Sequence, residues 1–135
     1  MVIHTREAEK DTMAILKNFE SELRNKVPGV LHSFTSKQEL ADYAWDIGFY
    51  MGFNGIITFK NAHDVRDVLK KCPPERLIYE TDSPFLTPTP NRGRENAPHY
   101  LPFIAQKCAE VKGMDQETLD PIVLQNSLHL FNLEL

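Results

Sequence analysis

Short apolar runs alternate along this chain with stretches in which apolar residues recur at helical spacing, and this alternation limits the possible folds more than any other feature. The four apolar runs begin at Val2, Val30, Phe49 and Leu77, so their starts are separated by 28, 19 and 28 residues. Each interval can hold the crossover helix that joins two parallel strands. The pattern predicts one α/β region over residues 1–135 with a parallel sheet covered by helices. It leaves two architectures open, a doubly wound sheet and part of an eight-stranded barrel.

Capping and breaking residues predict where the elements begin and end. A first helix is expected at about 6–23 with a break at Pro28, and a second from a capping box at Ser36–Glu39 to Gly48. A third is expected to begin after an Asn61 cap, and a fourth at about 98–111 with Gly113 as its end. The third apolar run is expected to continue as a strand from Asn54 to Phe59. Residues 115–133 are expected to form two helical pieces, the second beginning at Pro121.

Composition limits the functions that the chain can have. Lysine and arginine total 15 against 19 acidic residues, a net charge of −4, so no broad basic face is expected to bind nucleic acid. The two cysteines lack the spacing of a disulfide framework or a zinc ribbon. No apolar run is long enough to cross a bilayer. These features predict a protein without a membrane partner, in a reducing compartment such as the cytoplasm.

Polar residues of metal-binding type stand at the ends of three apolar runs. His4, His32 and Asp82 each stand at the end of such a run, and Asn54 and Glu80 also lie close to the ends of apolar runs. Because parallel strands bring their carboxyl ends to one edge, the three side chains are expected to lie close together. Imidazole and carboxylate ligands suit Zn²⁺, Mn²⁺ or a similar ion, which can activate water for hydrolysis. The pattern therefore predicts a metal-assisted hydrolase.

Four segments together resemble a known family. They are residues 2–6, 31–34, 80–84 and 92–98, which include a Glu-Thr-Asp motif and an Arg-Gly-x-x-Asn-x-Pro motif. These segments, and the closing stretch 126–131, resemble the TatD family of metal-dependent deoxyribonucleases over nearly the whole chain. The resemblance implies a TIM-type (β/α)8 barrel and DNA as the substrate, with one or two divalent ions (Zn²⁺, Mn²⁺ or Mg²⁺) as cofactors.

The resemblance also implies roles for individual residues. His4, His32 and Asp82 would be metal ligands, and Asp82 would in addition transfer a proton from water. Glu80 would orient its neighbours behind the metal. Arg92, Asn96 and Arg6 would contact the phosphodiester of the substrate, since a guanidinium matches phosphate oxygens. We expect these seven residues to form the site.

Two features of the family pattern are missing from the chain. The family begins with a His-x-His pair on its first strand and supplies a bridging glutamate from its fourth, and neither is found here. The interpretation is that the chain holds strands five to eight of the barrel, its C-terminal half. Such a half leaves two open sheet edges, which favours self-association. Two alternatives stay open: a catalytically silent fragment, and a hydrolase of a small amide or ester.

Overall fold

A four-stranded parallel sheet with helices packed on it forms the structure, a computed structural model that describes residues 1–26 and 29–134. In chain order the regular elements are β1 (Val2–His4), α1 (Glu9–Asn18), α2 (Glu20–Leu23), β2 (Val30–His32), α3 (Gln38–Asp46), β3 (Tyr50–Phe53), α4 (His63–Lys71), β4 (Leu77–Tyr79), α5 (Leu101–Lys112) and α6 (Gln116–Phe131). Short 3₁₀ turns lie at Gly55–Thr58, Pro74–Arg76 and Pro98–Tyr100.

The strands are paired in chain order, β1-β2-β3-β4, and every pairing is parallel. All carboxyl ends of the strands therefore meet at one edge of the sheet. The predicted α/β class and the predicted parallel sheet are confirmed. No helix in the described part of the chain is long and apolar enough to cross a membrane.

Both faces of the sheet are apolar, which explains why the strands read as continuous apolar runs. On one face, the fully buried Leu31, Met51 and Leu77 are register partners on neighbouring strands and pack against the helices. The neighbours of these residues along each strand point to the other face. They form a second cluster of Val30, Tyr50 and Ile78 together with Leu130. The sheet is thus packed on both faces, next to the edge where its strand ends carry polar side chains.

The chain between Asn54 and Phe59 is not a strand, contrary to the sequence prediction. Asn54 is buried, with 2% of its surface exposed, and its side-chain oxygen accepts a hydrogen bond of 3.1 Å from the Ile56 backbone N–H. That bond bends the chain into the 3₁₀ turn Gly55–Thr58 directly after β3. The apolar residues that suggested a longer strand, such as Ile57, are instead buried under α5.

Helix boundaries also differ from the prediction. The first helix begins three residues later than expected, and Phe19 separates α1 from α2; the predicted break at Pro28 lies outside the described residues. Neither predicted cap is used, because α3 follows Lys37 and α4 follows Ala62 without side-chain capping bonds.

The last two helices show one confirmed boundary and one wrong one. Gly113 ends α5 in the left-handed conformation, with φ +63°, as predicted. Pro121 does not begin a new helix but lies inside α6. Leu119 and Val123 on either side of it are buried in the core, so packing holds the helix together where proline removes one backbone hydrogen bond.

Candidate metal centre

His4 and His32 lie side by side at the carboxyl ends of the two neighbouring strands β1 and β2. They are register partners in the parallel pairing, and their ring centroids are 5.8 Å apart. His4 is exposed, whereas His32 is partly buried. The strand register alone therefore brings two imidazoles to the same edge of the sheet.

His32 is held between two carboxylates. Its Nδ1 atom lies 2.7 Å from Glu80 Oε2, and its Nε2 atom lies 3.1 Å from Asp82 Oδ1. Burial alone lowers the pKa of His32, but the contacts with Glu80 and Asp82 outweigh this and raise the pKa. The carboxylates therefore hold the ring in its orientation and favour its protonated form.

Glu80 joins β4 to β2 through two contacts. Besides the His32 ring, its carboxylate accepts a short hydrogen bond from the backbone N–H of Ser33. Burial raises the pKa of Glu80, and the hydrogen bond with His32 acts in the opposite direction. Glu80 thus lies behind His32, on the ring nitrogen opposite the one that faces Asp82.

The backbone is in the left-handed conformation at two positions of the site. Ser33, directly after His32, has φ +50°, and Asp82 has φ +59°. The Ser33 hydroxyl accepts a hydrogen bond of 2.8 Å from the buried amide of Asn54. The sequence indicates that Asn54 lies near the site, but no residue pattern signals the left-handed serine at position 33.

Arg6 shares a cavity with two of the predicted ligands. The cavity has a volume of about 390 Å³ and is lined by His4, Arg6, Ser33, Thr35, Ile56, Asp82, Phe85 and Leu86. Arg6 is exposed to solvent there. It is the predicted substrate-contacting residue that the fold brings beside His4 and Asp82.

The two other predicted substrate contacts lie elsewhere. The Arg92 guanidinium stacks on the Phe59 ring, 3.6 Å from its centroid, and donates to the Thr87 carbonyl oxygen at 3.4 Å. Asn96 is only 3% exposed, so its side chain does not face solvent. Neither residue lines the cavity.

The donor set fits a divalent ion by its chemistry. In the described part of the chain, no three His, Cys, Asp or Glu side chains are already grouped as a metal-binding cluster, since His32 and Asp82 contact each other and His4 stands one strand away. However, the contact of His32 Nδ1 with the Glu80 carboxylate is the contact by which proteins orient a metal-binding histidine, and the second nitrogen, Nε2, faces Asp82. His32 Nε2, Asp82 Oδ1 and the His4 ring are the groups that would hold the ion.

Comparisons with known proteins find relatives named as metal-dependent hydrolases. The chain is 42% identical over 134 residues to an Escherichia coli protein named uncharacterized metal-dependent hydrolase YcfH, and 41% identical over 133 residues to Bacillus subtilis YabD, which carries the same description. These alignments cover 99% and 98% of this chain but 49% and 51% of the relatives. The chain therefore spans about half the length of these curated relatives.

Solved structures and a family model give the same assignment. The crystal structure of YJJV, a TatD homologue from Escherichia coli, superposes with a TM-score of 0.87 at 25% identity, covering 98% of this chain and 50% of that one. A TatD-family hydrolase from Entamoeba histolytica, 19% identical, shares the fold with a TM-score of 0.81. The model of the family described as TatD related DNase matches residues 1–132. The chain belongs to the TatD family of metal-dependent hydrolases.

Proposed function

We propose that His4, His32 and Asp82 form part of a divalent-metal centre that hydrolyses phosphodiester bonds of DNA. The observation that carries the proposal is the position of His32, whose two ring nitrogens lie 2.7 Å and 3.1 Å from the carboxylates of Glu80 and Asp82. Two carboxylates on one imidazole at the carboxyl edge of a parallel sheet favour a metal site.

Each residue has a distinct task in this proposal. One or two ions, Zn²⁺, Mn²⁺ or Mg²⁺, would polarise the phosphate and make water a better nucleophile. Glu80 would accept the hydrogen bond of His32 Nδ1–H, so that Nε2, the nitrogen that faces Asp82, would hold the ion. Asp82 lines the cavity and would accept a proton from the attacking water. Arg6, in the same cavity, is the cation that the geometry favours for a phosphate oxygen.

The net charge of −4 does not oppose a DNA substrate. A site that holds one phosphate with a metal and Arg6 needs no extended basic surface. Arg92 is exposed and can contact a longer strand outside the cavity, while its stacking on Phe59 keeps the guanidinium in place. The proposal therefore predicts weaker salt dependence of binding than that of a groove-binding protein.

Asp82→Asn tests the proposed reaction. Labelled single-stranded DNA is incubated with the protein and Mn²⁺, and then with EDTA, while small amides and esters are assayed in parallel. We expect metal-dependent DNA cleavage that Asp82→Asn abolishes and that the exposed carboxylate variant Asp67→Asn leaves unchanged. Cleavage of only the small substrates would replace DNA by an amide or ester, and no turnover of any substrate would favour the silent fragment.

We further propose that the sheet corresponds to strands five to eight of the family's barrel and that its outer strands favour self-association. An apolar groove of about 670 Å³ borders β1, where Val2, Ile15 and Phe19 are more than half exposed. Outer strands of a parallel sheet that face solvent are uncommon, because such sheets are normally covered or closed. Light scattering coupled to size-exclusion chromatography tests this: a strictly monomeric protein at high concentration would contradict it.

A further inference from the structure

A buried asparagine bridges the turn that carries Asp82. Asn96 donates its two side-chain N–H bonds to the carbonyl oxygens of Thr81, at 2.7 Å, and Phe85, at 2.6 Å. Its backbone N–H donates to the Pro84 carbonyl oxygen at 3.0 Å. Asn96 therefore holds both ends of a short segment that contains the proposed ligand.

The conformation of Asp82 requires such support. With φ +59° it occupies the left-handed region, which residues other than glycine rarely adopt. Within the turn, one backbone bond acts on it directly: the Phe85 N–H donates to the Asp82 carbonyl oxygen at 2.9 Å. Asn96 fixes the peptide groups on either side of that bond, so the direction of the Asp82 carboxylate depends on the asparagine amide.

The hydrogen-bonding capacity of Asn96 leaves little for a substrate. Both amide hydrogens are used on the turn, and the side-chain oxygen accepts from the Ala97 N–H at 2.9 Å. The side chain is 3% exposed and does not line the cavity. This placement favours a role within the turn over the phosphate contact that the family resemblance suggested.

We infer that Asn96 is a positioning residue that holds Asp82 in the orientation needed to bind the metal ion. The inference rests on the proposed metal centre. It implies that replacing Asn96 weakens binding of the ion itself, in the absence of any substrate. A substrate-contacting residue would leave the affinity for the ion unchanged.

The chain contains a matched control in Asn126. This asparagine is also buried, at 7% exposure, and also donates its amide to two backbone carbonyl oxygens, those of Pro74 at 2.8 Å and Leu77 at 2.9 Å. Those bonds lie at the amino end of β4, the opposite end of the sheet from Asp82. Each side-chain amide donates two hydrogen bonds to backbone carbonyl oxygens, and Asn96 in addition accepts one from the Ala97 N–H, but only Asn96 holds the site.

The experiment measures Mn²⁺ affinity of the 135-residue chain by electron paramagnetic resonance, with thermal unfolding recorded on the same samples. Asn96→Ala and Asn126→Ala are expected to lower the unfolding midpoint by similar amounts. Only Asn96→Ala is expected to raise the Mn²⁺ dissociation constant, by about 10-fold to 100-fold, the range found when residues behind metal ligands are removed. Asn96→Ser, which keeps one donor and a small side chain, provides a second variant if Asn96→Ala does not fold, with a smaller increase expected.

His32→Ala separates failure of this inference from failure of the proposed function. If His32→Ala weakens Mn²⁺ binding but the folded Asn96 variants do not, or if Asn126→Ala weakens it equally, the positioning role is wrong and the metal centre stands. If the wild-type chain binds no Mn²⁺, or if His32→Ala changes nothing, the metal centre is wrong and the role of Asn96 falls with it.

Discussion

Gly55 lies where a side chain would collide with the loop that follows Asp82, and its replacement by alanine provides a sharp test of the site. A Cβ atom at this position would lie 1.9 Å from the Leu86 carbonyl oxygen and 3.1 Å from the Pro88 backbone nitrogen. The atoms in conflict belong to backbone, so no side-chain rotation can relieve the clash. Leu86 is four residues beyond Asp82, and the collision is therefore transmitted to the proposed ligand.

The size of the effect follows from these distances. Carbon and carbonyl oxygen come no closer than about 3.3 Å in ordinary contacts, so the two segments must separate by about 1.4 Å. Overpacking a core costs about 1–3 kcal/mol, and we expect about 3 kcal/mol because neither segment can yield by a rotamer change. A shift of that size at Leu86 displaces Asp82, and the Mn²⁺ dissociation constant should rise by about 10-fold or more.

Urea unfolding followed by Trp45 fluorescence and Mn²⁺ titration of the same variant give the two measurements. Gly113→Ala is the control: its Cβ would meet no atom within 4 Å, while its φ of +63° makes alanine strained. It should cost about 1–2 kcal/mol and leave Mn²⁺ affinity unchanged. If Gly55→Ala costs less than the control or binds Mn²⁺ like the wild type, the packing of the Asp82 loop against Gly55 is wrong.

Three further predictions follow from contacts described above. Glu80→Gln removes the charge that holds His32 Nδ1 and should weaken Mn²⁺ binding about 10-fold in a titration; unchanged affinity would contradict the role of Glu80. Arg92→Ala loses the stacking on Phe59 and should lower the free energy of unfolding by about 0.5–1 kcal/mol in urea, with Mn²⁺ affinity unchanged. Burial raises the pKa of the Cys72 thiol to about 12, so about one part in ten thousand is thiolate at pH 8 and a thiol reagent should label it only after unfolding; rapid labelling of the native protein would refute this.

Sequence patterns predicted the features that depend on chain direction and apolar spacing. The four apolar runs became strands in chain order, and the register placed His4 beside His32 because parallel strands end together. The predictions failed where one local side-chain hydrogen bond decides the backbone. Asn54 turned the expected strand into a 3₁₀ turn.

The partners of Asn96 could not be predicted from the sequence either. Its place in a family motif suggested a substrate contact, and in the structure the buried amide donates to two carbonyl oxygens of the turn that carries Asp82. No local pattern distinguishes an asparagine that faces a ligand from one that faces its own backbone, because both have the same donors and acceptors. Sequence reasoning can therefore select the residue but not its partner.

The register pairing of His4 with His32 has a consequence for local unfolding. β1 is a three-residue outer strand, so its opening is expected to need less energy than global unfolding and to dominate hydrogen exchange there. An ion held by both histidines would tie this strand to β2, and opening β1 would then require releasing the ion. At an ion concentration of about 100 times the dissociation constant, that linkage adds about 2.7 kcal/mol to the opening, which slows exchange of the β1 amides about 100-fold. The bound metal would thus stabilise the outer strand against local opening, and the free energy of that opening would depend on the concentration of the ion.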